Sequence, residues 1–286
     1  MIFKTKLLST LTASAISLAS MFNLYTNGSD KQYDNNSIYT TDDLPQKLSE
    51  NAYKIRVRGK IKSTVFDKDK PKEVKFNPLL SSGSALLMGI DNGYLTLLTN
   101  SHVVMEAETR TQNLDFFGVG VKLQTELSNL TYQLQVPYKE HIITRDLEVL
   151  TRDKDIDYAL VRTKSPLFKT DDMRINYSIG NSKELKRGDF LYVTGYPRGL
   201  SNQLGHGIVK GRTGKEKKSF PFTDIILVDY TGIPGNSGGG VFALRDGAPE
   251  LVGIVQLDVG ADSMGMVGLD RIKQDLKSDN LERLLK

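Results

Sequence analysis

The chain has 286 residues, 39% of them apolar and 25% charged, the balance of a folded globular protein rather than a disordered one. It contains no cysteine, which excludes a disulfide framework, a thiol nucleophile and thiolate metal or iron–sulfur sites. Three histidines without an HExxH pattern leave little for a metal cage, and a formal charge of +4 is too mild to point to nucleic acid.

Lys4 and Lys6 precede a stretch without charge from Leu7 to Ser29, mostly apolar or small as far as Leu24. A basic start before an apolar run is the pattern of a signal peptide, and Ala13-Ser14-Ala15 and Ser17-Leu18-Ala19 offer small-residue cleavage patterns. The run is also long enough for a membrane anchor. Residues 1–25 are therefore read as a signal peptide or an N-terminal anchor, with membrane or cell-envelope association open in the second case. Both readings place the rest of the chain outside the cytoplasm: in the periplasm, outside the cell, or on the outer face of the membrane. Residues 26–47, polar and carrying Pro45, read as a linker. The folded domain is expected over 48–272.

From residue 52 onward the pattern is short β-prone runs. Tyr53–Val57 alternates, and Ser84–Gly89 and Tyr94–Thr99 flank Asp91-Asn92-Gly93, a tight-turn signal. Further runs are Phe116–Leu123, Leu130–Val136, Glu148–Leu150, Tyr158–Arg162 and Phe190–Thr194. They continue with Gly207–Val209, Ile225–Tyr230, Gly240–Leu244 and Leu251–Leu257, and Asp246-Gly247 marks another turn. About a dozen strands are too many for one small sandwich, and two packed barrels fit the length. Leu269, Ile272, Leu276 and Leu281 punctuate a charged tail that reads as helical, broken near Asp279-Asn280. The block 273–286 is expected to be a C-terminal helical tail.

The densest signal is Pro234-Gly235-Asn236-Ser237-Gly238-Gly239-Gly240. Glycines around a serine let backbone approach a substrate and aim N–H groups at one point. The alternative is a glycine-rich turn with a chance serine. The α/β-hydrolase elbow G-x-S-x-G also matches, but that fold needs its histidine after the serine, and none follows Ser237. A base must come from upstream. His102 stands at the end of the apolar strand Leu97–Thr99, whereas His141 lies in a polar loop and His206 between glycines. For the acid, Asp157 enters the apolar run Tyr158-Ala159-Leu160-Val161, and Asp155 is its rival. In this reading neutral His102 takes the Ser237 proton and Asp157 fixes its tautomer. The N–H groups of Gly235 and Ser237 hold the oxyanion.

The order His102, Asp157, Ser237 is the chymotrypsin-like order. The chain resembles the cysteine-free bacterial branch of that superfamily, the HtrA-like (Deg-like) serine proteases. The resemblance is carried by Ser82-Gly83-Ser84-Ala85, Leu98-Thr99-Asn100-Ser101-His102-Val103-Val104 and Asp157-Tyr158-Ala159-Leu160. Gly195-Tyr196-Pro197-Arg198-Gly199-Leu200, Asp229 through Ser237, and Gly253-Ile254-Val255 add to it. It covers roughly residues 50–270 and implies an all-β fold of two perpendicular six-stranded β-barrels, the trypsin-like serine protease fold, with a C-terminal helix here. It also implies endopeptidase activity without cofactor or metal, and polypeptide substrates laid as an added strand against the Gln256 region. By the same resemblance Thr231 lines the base of the primary pocket, and Asp258 stands near its mouth. Thr231 is uncharged, so a small or medium apolar P1 residue is expected.

Some features depart from the family. The reading is of a protease domain alone, with no PDZ-like domain after residue 270. Asn236 replaces the aspartate of digestive proteases, against activation by a newly cut N-terminus. Residues 106–150 form a long His-to-Asp segment that reads as an extended hairpin, and Arg198 places a charge beside a tight loop. Lys210, Arg212, Lys215, Lys217 and Lys218 make a basic stretch, read as a solvated hairpin or a contact for acidic headgroups. It lacks interleaved aromatics, so nucleic acid is not expected. Two function classes stand: an exported serine endopeptidase, and a protease fold used for binding or scaffolding with a misformed or regulated centre.

Overall fold

The computed structural model describes residues 32–34, 44–67, 70–116, 119–138, 141–165, 173–213, 224–260, 262–278 and 283. The expected signal or anchor over 1–25 lies outside these residues, as does most of the basic stretch around Lys215–Lys218. Among the described residues no helix is long and apolar enough to cross a membrane.

Among the described residues the chain forms two largely antiparallel sheets and two α-helices. The first sheet is built from β1 (Ala52–Asp67), β2 (Lys70–Phe76), β3 (Leu79–Asp91), β4 (Tyr94–Thr99), β5 (Thr109–Phe116), β6 (Val119–Tyr138), β7 (His141–Asp146), β8 (Glu148–Asp153) and β9 (Tyr158–Lys164). The second is built from β10 (Ser178–Ile179), β11 (Phe190–Gly195), β12 (Gln203–Arg212), β13 (Ile225–Val228), β14 (Gly240–Arg245), β15 (Ala248–Gly260) and β16 (Ser263–Gly268). Helix α1 spans Leu44–Glu50 and α2 spans Leu269–Ser278.

The second sheet is a closed barrel. Its ladder runs β15-β14-β11-β12-β13-β16, and β16 returns to pair with β15, while the short β10 adds in parallel to β15. The first sheet is not closed, which overturns the expectation of two six-stranded barrels. Its path β5-β6-β1-β3-β4-β9-β8 has two ends, with β2 on β1 and β7 on β6. The gap falls at Leu147. Before it, β7 pairs with the end of β6; after it, β8 pairs with β9. Among the described residues no ladder joins β8 to β6, and Leu147 N–H donates to Tyr132 O (2.9 Å) across the gap.

Turn chemistry sets the hairpins. Asn92 (φ 49°) and Gly93 (φ 77°) link β3 to β4, and Asp246 (φ 51°) and Gly247 (φ 75°) link β14 to β15, each pair in the left-handed region a two-residue hairpin needs. The run read as one strand over Phe116–Leu123 is instead the tip of the β5/β6 hairpin, where Phe116 pairs with Val119. That hairpin fills most of the segment 106–150. The outer ends of β1, β2, β5 and β6 extend past the core as a blade in which Ile61 to Phe66 are only partly buried.

Three apolar clusters hold the fold. One lies within the first sheet (Ile55, Leu87, Leu97, Val103, Val161) and one inside the barrel (Val193, Ile226, Val241, Met266). The third joins the sheets through Leu86, Leu98, Tyr158 and Phe242. Both helices cap this third cluster, α1 through Leu44 and Leu48, α2 through Leu269, Ile272 and Leu276 at one-face spacing. The fold thus begins before residue 48: Leu44 and Tyr33, within the expected linker, are buried. The Tyr158 hydroxyl donates to Asp275 Oδ2 of α2 at 2.5 Å.

Candidate active site

His102 sits in the turn that follows β4. Val103 N–H donates to Asn100 O (3.2 Å), and Val103 and Val104 are buried in the first-sheet core, so the turn is fixed while the imidazole remains half exposed. Asp157 stands one residue before β9 with φ 67°, a left-handed conformation that short polar side chains tolerate. Its carboxylate is 2% exposed. It accepts the His102 backbone N–H at 3.0 Å and faces Nδ1 at 2.8 and 3.0 Å. A carboxylate accepts only, so the ring proton is assigned to Nδ1 and Nε2 is left as an acceptor. Asn100 Nδ2 donates to Asp157 O at 2.9 Å and ties the two loops together. Asp155 is exposed, and Asp153 is occupied in accepting Ile156 N–H.

Ser237 lies between the barrel and the first sheet. Ser84 N–H of β3 donates to Ser237 O at 2.8 Å, and Gly238 and Gly239 pair with Val255. Gly238 has φ 83°, and a Cβ there would lie 2.2 Å from Ser84 O, so only glycine fits. The Ser237 hydroxyl donates to Gln256 O at 3.4 Å. Among the described residues no hydrogen bond joins it to His102.

The preceding turn has a defined form. Asn236 N–H donates to Ile233 O (3.1 Å) across Pro234 and Gly235, and Gly235 has φ 102°, the sequence and sign of a type II turn. Three carbonyls are held in succession: Pro234 O by Arg198 N–H (2.6 Å), Gly235 O by Ser84 Oγ (2.7 Å) and Asn236 O by Gly239 N–H (2.8 Å). The N–H groups of Gly235 and Ser237 donate to nothing among the described residues. Arg198, a charge whose role the sequence leaves open, is a backbone support with its side chain exposed.

The remaining sequence candidates fall in different places. Gln256 is buried, and among the described residues both atoms of its amide head lack a partner. Thr231 is exposed on a surface cavity of about 530 Å³ that is also lined by Tyr230, Ile233 and Asp262. Its hydroxyl faces Asp262 Oδ1 at 3.4 Å, a carboxylate the sequence reading did not bring to this position. The Asp258 side chain lies outside the described residues. His206 stacks on Phe190 and His141 is exposed on β7, both apart from the His102–Asp157 pair. Among the described residues no group of three or more His, Asp or Glu side chains is placed to hold a metal.

Two further residues were assigned no role by the sequence, although Ser84 lies in a stretch that carries the resemblance. Ser84, fully buried on β3, accepts Tyr196 N–H (2.9 Å) while donating to Gly235 O. Lys54 on β1 donates to Gly199 O. Burial first, and then the neighbouring Arg56 charge, bring the Lys54 ammonium below the ordinary lysine value. Burial pushes the Tyr196 phenol up to about 12, so it stays a neutral donor.

A family model described as the trypsin-like peptidase domain matches residues 83–254, a span that includes His102, Asp157 and Ser237. The chain belongs to the trypsin-like peptidases. This places it in a class of serine endopeptidases. A protein of Brucella suis named as a probable periplasmic serine endoprotease, DegP-like, is 27% identical over 201 residues, which are 70% of this chain and 32% of the relative. The serine protease HTR4 of Rattus norvegicus is 30% identical over 211 residues, 72% of this chain and 35% of the relative. The chain thus spans about a third of the length of these trypsin-like relatives. Among solved structures, an HtrA-type protease with a tripeptide superposes with a TM-score of 0.51 at 17% identity, covering 83% of this chain and 62% of that one. Deg5 does so with 0.50 at 19% identity, covering 80% and 88%. At these identities the two structures speak for the fold alone.

Proposed function

We propose that the chain is an exported serine endopeptidase that cleaves polypeptides through an acyl-enzyme. The observation that carries this reading is the His102–Asp157 pair: a buried carboxylate against Nδ1, leaving Nε2 as a base. In the proposed step the Ser237 hydroxyl turns from Gln256 O to His102 Nε2 and gives up its proton as Oγ attacks the substrate carbonyl. Asp157 stabilises the imidazolium. His102 then protonates the leaving amine, and a water repeats the sequence in reverse to free the acid. The Gly235 and Ser237 N–H groups receive the oxyanion. Their support is the set of pinned carbonyls, which turns both N–H groups away from internal partners.

The substrate strand is placed against β15 at Gln256, and Thr231 and Asp258 are assigned to the primary pocket. A small or medium apolar P1 residue follows from the uncharged Thr231. Export is supported by the basic start and uncharged run of the sequence, and by the word periplasmic in the names of several relatives. A second reading, a protease fold whose centre is regulated, is favoured by the Ser237 hydroxyl resting on Gln256 O.

The test is casein hydrolysis and fluorophosphonate labelling by the full chain and its Ser237→Ala variant, both checked as folded by circular dichroism. Cleavage and labelling by the parent alone is the expected result, and the cut sites report the P1 residue. Labelling without cleavage supports the regulated centre. A folded parent that neither cleaves nor labels overturns the endopeptidase reading.

A further inference from the structure

Oxyanion donors are backbone groups, so their direction is set by whatever holds the neighbouring carbonyls. The C=O and N–H of one trans peptide point in opposite directions. Pro234 O and Gly235 N–H share a peptide, and the bond from Arg198 N–H to Pro234 O therefore fixes where Gly235 N–H points. Rotation of that peptide would put a carbonyl in place of a donor. What holds Arg198 thus also holds the donor.

Arg198 lies in the segment Tyr196–Leu200, which is strained: Arg198 has φ 53°, uncommon outside glycine. Strain of this kind persists where surroundings over-determine it. Here the surroundings come from the other sheet. Tyr196 N–H donates to Ser84 Oγ, and Lys54 Nζ grips Gly199 O. Ser84 uses its hydroxyl twice, since the same oxygen donates to Gly235 O at 2.7 Å. One buried hydroxyl therefore ties both the bracing segment and the turn itself. Lys54 and Ser84 are register partners across β1 and β3. β3 in turn pairs with β4, which leads into His102.

We propose that the cross-strand pair Lys54 and Ser84 are positioning residues: anchored on the first sheet, they hold the Pro234–Ser237 turn of the second in its donor-presenting form. This rests on the reading of the Gly235 and Ser237 N–H groups as oxyanion donors. Neither side chain touches the substrate. The pair sets the base and the oxyanion donors at a fixed separation, although they belong to different sheets.

The test uses the full chain with Ser84→Ala, Lys54→Met and Lys54→Arg. Losing one oxyanion donor outright costs about 100- to 1,000-fold in kcat. Ser84→Ala, which leaves the donor present but unheld, is expected to lower kcat by roughly 10- to 100-fold on that scale, with KM nearly unchanged. Affinity for a peptide boronate, whose Ser237 adduct places an oxygen at the oxyanion position, should fall in parallel. Binding of an uncleaved peptide in a Ser237→Ala background should not change. Lys54→Met should act in the same direction but less strongly, and Lys54→Arg should restore the parent value. Lys54 is partly solvated, so its variants keep the test open if Ser84→Ala does not fold.

A readout independent of catalysis is amide exchange by NMR. The Tyr196 and Arg198 amides should exchange faster in Ser84→Ala and Lys54→Met. Unchanged exchange at Arg198 overturns the proposal, and so does unchanged boronate affinity in a folded variant. A parent that neither hydrolyses nor labels defeats the endopeptidase reading instead, and the exchange comparison still decides whether the pair holds the turn.

Discussion

The barrel of the second sheet and the open first sheet divide the site unequally. The barrel carries Ser237 and its turn on a ring in which every strand has two neighbours. The first sheet carries His102 and Asp157 with its ring interrupted at Leu147 and its outer strands drawn into a blade. A closed ring has no edge to fray, whereas an open one keeps its shape through its packed face. The first sheet is accordingly firmest where it packs on the barrel, through Leu86, Leu98 and Tyr158, and it is there that His102 and Asp157 stand. The proposed chemistry thus leans on the shared core rather than on a second complete ring.

The comparison can be broken or sharpened by substitution. The largest effect is expected at the junction: Asp157→Asn should reduce kcat by about 10,000-fold with little change in the melting temperature, since the amide keeps the shape but reverses the tautomer. Steady-state kinetics beside a thermal melt checks it. Next is Phe242→Ala, which removes a fully buried ring from the cluster shared by both sheets. It should cost about 3–5 kcal/mol in urea unfolding, and a loss below 1 kcal/mol would mean the sheets do not depend on one core. Tyr158→Phe, which deletes the bond to Asp275, should cost about 1–2 kcal/mol in the same assay. Smallest is Val74→Thr on the blade, where the side chain is 56% exposed. A change within about 0.5 kcal/mol is expected, and a larger one would show that the blade is part of the core.

Much of this was legible along the chain where local chemistry decides. Asn92-Gly93 and Asp246-Gly247 announced two hairpins because left-handed turns select those residues. The apolar run after Asp157 announced β9, and the spacing of Leu269, Ile272 and Leu276 announced α2. Ring closure was not legible. Whether β8 finds a ladder on β6 depends on register between distant strands, and nothing near Leu147 encodes it. β2 carries little apolar signal, since Lys70-Pro71-Lys72 opens it, and it holds with one neighbour and exposed ion pairs from Glu73 to Lys62 and Lys75. At the site, His102 and Asp157 were readable as side chains at strand ends. Ser84 and Lys54 were not, because they act on backbone carbonyls of two loops, each more than a hundred residues away.

The barrel is closed by its final strand. β13 and β15 are joined only when β16 arrives between them, and α2 follows at once to cover the shared core. A chain halted on the ribosome before Ser263 would therefore have Ser237 already made but the ring around it open. The ring that carries the serine turn is therefore completed by residues made after it, and the turn reaches its final setting only once β16 has docked.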